Sequence, residues 1–84
     1  MTEAFVFVNC LLSMTGAVEP SARATEGVID AYPTTGIYDL ILRVKTEDEV
    51  QLRKLIQKVI KIQGVAATMT TIVHTKEKPE QATS

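Results

Sequence analysis

An α+β fold of element order β-α-β-β-α-β is the architecture the sequence predicts, and three observations carry it. Residues 4–12, AFVFVNCLL, are apolar at odd and even positions alike, as a strand covered on both faces requires. Residues 28–45 read as two strands joined through a turn at Gly36. Leu52, Leu55, Ile56, Val59 and Ile60 recur at helical spacing, and a β-branched, threonine-rich run, VAATMTTIV, follows them.

The elements follow in order. The first strand covers 4–12. SMTGAVEPS then turns the chain, with Gly16 and Pro20 as punctuation; proline needs no N–H in a first helical turn, so a short helix over 20–27, ending at Gly27, is predicted. Its residues SARATEG have mediocre helix propensity, so tertiary contact must hold it. VIDAYPTT is a second strand, closed by Pro33 at an edge or a strand end. IYDLILRVK is the third, with Ile37, Asp39, Ile41 and Arg43 on one side and Tyr38, Leu40, Leu42 and Val44 on the other. Thr46 and Glu49 have capping-box spacing, Glu47 and Asp48 suit the positive end of a helix, and the helix they open stops near Gln63, before Gly64. VAATMTTIVH is a fourth strand, and TKEKPEQATS is polar, proline-containing and expected to fray. The result is one domain over 1–75 and a tail over 76–84.

This order is the split βαβ, or ferredoxin-like, arrangement: a four-stranded antiparallel sheet with both helices on one face. The opposite face is then bare. Yet Phe5 and Phe7 oppose Val6 and Val8, and Ile37 and Ile41 oppose Leu40 and Leu42, so neither face suits water. At about 25 cal/mol per Å2 of apolar area, covering that face with a twin stabilises by several kcal/mol, and a sheet-to-sheet or edge-to-edge homodimer at least is expected.

Composition narrows the function. A chain of 84 residues buries a smaller fraction of its surface than a larger protein, and its single cysteine, Cys10, makes no internal disulfide, so association is the expected source of extra stability. A net charge of -1 argues against a surface built to neutralise phosphates, so no direct nucleic-acid contact is expected. No apolar run approaches the roughly 20 residues of a membrane span; a cytoplasmic protein is the reading. One His and one Cys supply no metal spacing, and no cofactor loop or catalytic residue is expected. Cys10, in an apolar strand, reads as an inert small hydrophobe, and His74 as a solvated strand end.

Two stretches remain. In TTGIYD, Thr34, Thr35 and Gly36 offer hydroxyls and backbone N–H groups while Asp39 offers an acceptor, a set able to hold a zwitterion: its carboxylate on the N–H and hydroxyl donors, its ammonium on Asp39. The bland alternative is a hairpin turn whose aspartate bonds nearby backbone. In GVAATMTTIV, Thr68 and Thr70 project from one strand face and Met69 and Thr71 from the other, which threonine's strand preference also explains.

Together AYPTTGIYDLILRV, the acid-capped helix after it, and KIQGVAATMTTIV resemble the ligand-binding module of the Lrp/AsnC transcription regulators, the RAM domain, over residues 4 to about 75. The family pattern is an aliphatic strand, a T-G-x-x-D turn leading into a DLIL-type strand, and a GV…T…T strand after the second helix. The resemblance implies a dimeric α/β-barrel type domain whose sheets face each other, dimers assembled into rings of eight or ten, and small effectors, usually amino acids, in clefts between dimers. It maps effector contacts onto Thr35, Gly36, Tyr38, Asp39, Thr68 and Thr70. Full-length members carry a helix-turn-helix before this module; here the first strand follows Met1 almost at once, so the stand-alone version is expected, co-assembling with full-length regulators. Pro33 and Thr34 replace the more usual aliphatic residues before T-G. Two other readings compete: a cofactor-free monooxygenase or isomerase using Asn9 and His74, and a purely structural subunit that modifies a partner's assembly.

Overall fold

A computed structural model describes residues 1–74. The expectation for the 76–84 tail lies outside them. The order is β1 (Thr2–Cys10), α1 (Thr15–Arg23), β2 (Val28–Pro33), β3 (Leu40–Thr46), α2 (Glu49–Ile60) and β4 (Val65–Val73). The strands form one antiparallel sheet in the order β2-β3-β1-β4, the ferredoxin-like arrangement expected.

The core lies between the sheet and the helices. Ala4, Val6 and Val8 of β1 and Leu40, Leu42 and Val44 of β3 share one face, and they bury against Val18 and Ala22 of α1 and Leu52, Leu55 and Val59 of α2. The other parity of β1, Phe5 and Phe7, is only half-buried, so within one subunit the first strand is covered on one face rather than two.

Four elements depart from the pattern read in the sequence, the first being β1, which spans Thr2–Cys10 rather than 4–12 and leaves Leu11 and Leu12 exposed beyond its end. Helix α1 begins at Thr15, five residues before the expected start, because Val18 and Ala22, one helical turn apart, both reach the core. Pro20 therefore lies inside the helix, where its missing N–H deletes the bond to the Gly16 carbonyl. Strand β3 starts at Leu40 rather than Ile37: the Thr34 hydroxyl donates to the Tyr38 carbonyl (2.7 Å) and the Thr34 N–H to the Asp39 carbonyl (3.0 Å), closing residues 34–39 into a tight loop. That loop breaks the alternation, and Tyr38 turns to the Phe7 side of the sheet instead of the Leu40 side. The N-cap of α2 is Asp48, whose carboxylate accepts the Gln51 N–H (2.9 Å), while the Thr46 hydroxyl donates to the Asp48 carbonyl (2.8 Å); the expected Thr46–Glu49 capping box does not form.

Candidate functional site

The carboxylate at the head of β3 has a structural partner. The register of β1 with β3 ends at Val8↔Leu40, and the β1–β4 register shifts between Asn9 and Cys10. At this strand end the Asp39 N–H donates to the Val8 carbonyl (3.0 Å), and Asp39 Oδ2 accepts the Cys10 N–H (2.8 Å). A side chain thus continues the ladder where the backbone stops, sparing an amide whose loss of a partner costs about 1–3 kcal/mol. A carboxylate has about four acceptor sites, and Cys10 takes one of them.

The face away from the helices carries an apolar row across all four strands. Tyr32 pairs with Ile41, Ile41 with Phe7, and Phe7 with Met69. Tyr38 completes it from the loop: its ring lies 5.0 Å from that of Phe7, tilted by 40°, and its hydroxyl donates to Met69 Sδ (3.4 Å). The adjacent row, Asp30, Arg43, Phe5 and Thr71, is mostly polar. Arg43 pairs with Glu3 (3.3 Å) along this side. The bare face is therefore apolar at the Tyr38 end and charged towards the other, a division that alternation alone does not show.

Of the six residues singled out in the sequence, four gather at one end of the sheet. Thr35 and Gly36 form the exposed tip of the loop, Gly36 with φ +142° and open space around it, and Tyr38 and Asp39 close its base. Thr68 and Thr70 pair with Val8 and Val6, so they lie on the helix side of the sheet, opposite Tyr38; within one subunit the structure does not bring them to the same face. Met69 is the β4 residue that meets the loop. Neither it nor Phe7 is among the six, though register parity, had the pairing been known, would have found both.

Other polar groups are engaged elsewhere. Arg23, at the end of α1, bonds Glu19 (2.7 Å), Asp30 (3.2 Å) and the Ala31 carbonyl (2.7 Å), tying the helix to edge strand β2. The Ala31 N–H, then the Tyr32 hydroxyl, hold the Asp30 carboxyl below its ordinary range, and the same bond raises the Tyr32 phenol. Burial pushes the Cys10 thiol up, favouring the neutral thiol over the reactive thiolate. Among the described residues no group of three or more His, Cys, Asp or Glu could hold a metal ion, and no helix is long and apolar enough to cross a membrane.

Concave surface lies at the opposite end of the sheet. An open cleft of about 510 Å3 is lined by Thr2, Glu3, Lys45, Ile72 and His74, and a groove of about 590 Å3 by Gly27, Ile29, Lys45, Leu55 and Lys58. Neither includes Asp39 or Tyr38. One subunit leaves the Asp39 loop on an open rim.

Comparison with known proteins follows the same outline. The family model described as Lrp/AsnC ligand binding domain matches residues 3–83. The crystal structure of TTHA0845 from Thermus thermophilus superposes with a TM-score of 0.85 at 26% identity, covering 92% of this chain and 98% of that one. The HTH-type transcriptional regulator FL11 of Pyrococcus abyssi is 27% identical over 70 residues, 83% of this chain and 46% of the regulator. A homocitrate synthase of Sulfurisphaera tokodaii is 29% identical over 72 residues, 84% of this chain but 16% of the enzyme. The chain spans less than half the length of the curated relatives it matches.

Proposed function

The chain belongs to the Lrp/AsnC ligand-binding domain family, which makes it an effector-binding regulatory module, and from that premise we propose that its effector is an amino acid, bound at the Asp39 end of the sheet within a homo-oligomer. The observation that carries this is Asp39 itself: a carboxylate fixed by one backbone donor at an open rim, beside the exposed hydroxyl and backbone of Thr35 and Gly36. An ammonium group takes the unused acceptor sites of Asp39, and the ligand carboxylate takes the loop's N–H and hydroxyl donors. A single subunit does not surround such a ligand, so the cleft is closed by a neighbouring copy. Thr68 and Thr70 enter it, in this reading, only where a second subunit presents them.

The proposed working unit is one non-catalytic, cytoplasmic domain over 1–75, paired through the apolar row of the bare face and assembled further into a ring of eight or ten. It acts on full-length regulators by co-assembly. Isothermal titration with each of the twenty amino acids tests the binding, and light scattering with and without them tests its link to assembly. Heat of binding for at least one amino acid, with a change in mass, is expected. An intact oligomer silent to all twenty overturns the reading.

The match within a homocitrate synthase supports a second reading of the partner. A module found beside both a DNA reader and a biosynthetic enzyme senses a metabolite in either setting, so the partner regulated here is an enzyme as readily as a transcription factor. Affinity capture with the tagged chain, with and without the twenty amino acids, separates the two by the protein retained.

A further inference from the structure

Asp39 has two jobs, anchor of a strand end and counter-ion of an effector, and they use one carboxylate. We infer that this shared carboxylate is the coupling device of the module: the Cys10 amide positions it for the ligand amine, and its capture by that amine loosens the segment from Cys10 to Met14. The inference rests on the proposed amino-acid site.

Cys10, paired with Val65, and Met14, against the core and the start of α1, fix the two ends of the segment, and few bonds hold what lies between them. The Cys10 N–H donates to Asp39 Oδ2 (2.8 Å), the Leu11 N–H to the Gly64 carbonyl (2.8 Å), and the Met14 N–H to the Leu11 carbonyl (2.9 Å). Between these pins Ser13 sits at φ +64°, the left-handed region that side chains disfavour, so the conformation relies on its anchors. The segment presents Leu11 and Leu12 to solvent at 57% and 93% exposure, and it leads directly into α1. A shift of Cys10 therefore moves an apolar surface.

The physical step is a pull on one carboxylate: Oδ2 holds the Cys10 N–H, and the ammonium enters at the remaining acceptor sites. An ammonium is a stronger donor than an amide, and a carboxylate drawn towards it withdraws from the Cys10 N–H. Binding then removes one pin from Cys10–Met14 while leaving the Gly64 pin in place. Part of the binding free energy thus goes into the segment that leads to α1, as an effector-controlled module requires.

The test uses hydrogen exchange at single amides on the intact oligomer, with an equimolar mixture of the twenty amino acids as the probe and isothermal titration of the same mixture alongside. In the wild-type chain, Cys10 exchange is expected to quicken about fivefold or more on adding the mixture, while Val6, inside β1, is unchanged. Asp39→Asn keeps an oxygen acceptor without the charge: slow Cys10 exchange persists and the mixture produces neither heat nor change. Asp39→Glu keeps the charge but not the reach: Cys10 exchange is fast from the outset, and binding weakens about tenfold or more through loss of the positioned acceptor. Heat of binding without any change at Cys10, or Asp39→Glu binding as tightly as wild type, overturns the coupling and leaves the proposed function standing. No heat in the wild-type chain overturns both.

Discussion

Asp30, in β2, and Asp39, in the loop before β3, are both carboxylates bonded to backbone amides, yet they are put to different use. Asp30 lies on the charged row of the bare face and accepts from the Ala31 N–H (3.0 Å), the Tyr32 hydroxyl (3.1 Å) and Arg23 (3.2 Å). Asp39 accepts from Cys10 at a rim. The lowered Asp30 carboxyl carries a stability consequence with a definite sign. A group whose folded value lies below its unfolded value contributes fully above the unfolded value, and the contribution is lost as pH falls through the folded one. Asp30→Asn is therefore expected to lower stability at neutral pH and to flatten the acid limb of the stability curve, read from urea unfolding between about pH 6 and 2. A variant as acid-sensitive as wild type would assign the acid limb to other carboxylates. Nothing in the residue types distinguishes the two aspartates; the hydrogen-bond partners do.

At the scale of elements, one boundary moved through packing, the start of α1, and two through local hydrogen bonds, the starts of β3 and α2. The α2 start turns on a cap: Asp48, not Thr46, accepts a first-turn amide. Asp48→Ala is expected to cost about 1 kcal/mol in thermal or urea unfolding, and Thr46→Ala about half of that, whereas a capping box would give the reverse order. Helix α1 is held by packing rather than propensity, and its seat against the α2–β4 connection depends on Gly64. That residue sits at φ +104°, and a Cβ there would stand 2.8 Å from Val18 Cγ2 and 2.9 Å from Met14 Cε. Gly64→Ala is expected to destabilise by roughly 2 kcal/mol. Gly16→Ala, with open space at its Cβ and helical backbone, is expected to stabilise by up to about 1 kcal/mol. Equal effects from the two in parallel urea titrations would show that the Gly64 contacts relax.

Over the whole molecule the question is what covers the apolar row Tyr32–Ile41–Phe7–Met69. Met69 is 56% exposed at the outer end of that row, on edge strand β4. If a second copy covers the face, Met69→Asp places a desolvated charge in the interface, a cost of several kcal/mol, and the oligomer dissociates by sedimentation while the subunit keeps its circular dichroism. Unchanged mass would locate the interface elsewhere. The charged row beside it, with Arg43 and Glu3, is expected at the rim of such a contact, where ion pairs set orientation more than affinity.

The apolar run of 4–12, the helical spacing of Leu52 to Val59 and the turn at Gly36 determined the element order, because periodicity and burial are two expressions of the same geometry, whereas apolar residues on both sides of β1 and β3 left open which side reaches the core. The T-G-I-Y-D stretch likewise marked the loop that carries Asp39. Only the tertiary structure decided where α1 begins, which residue caps α2, that Tyr38 joins the Phe7 side, and that Thr68 and Thr70 lie across the sheet from it. The cap of α2 is local, a choice among neighbouring cap residues that spacing alone leaves open, but the others depend on a partner distant in the chain, Val18 on the sheet, Tyr38 on Met69, Asp39 on Cys10, and local pattern does not encode which distant residue will arrive.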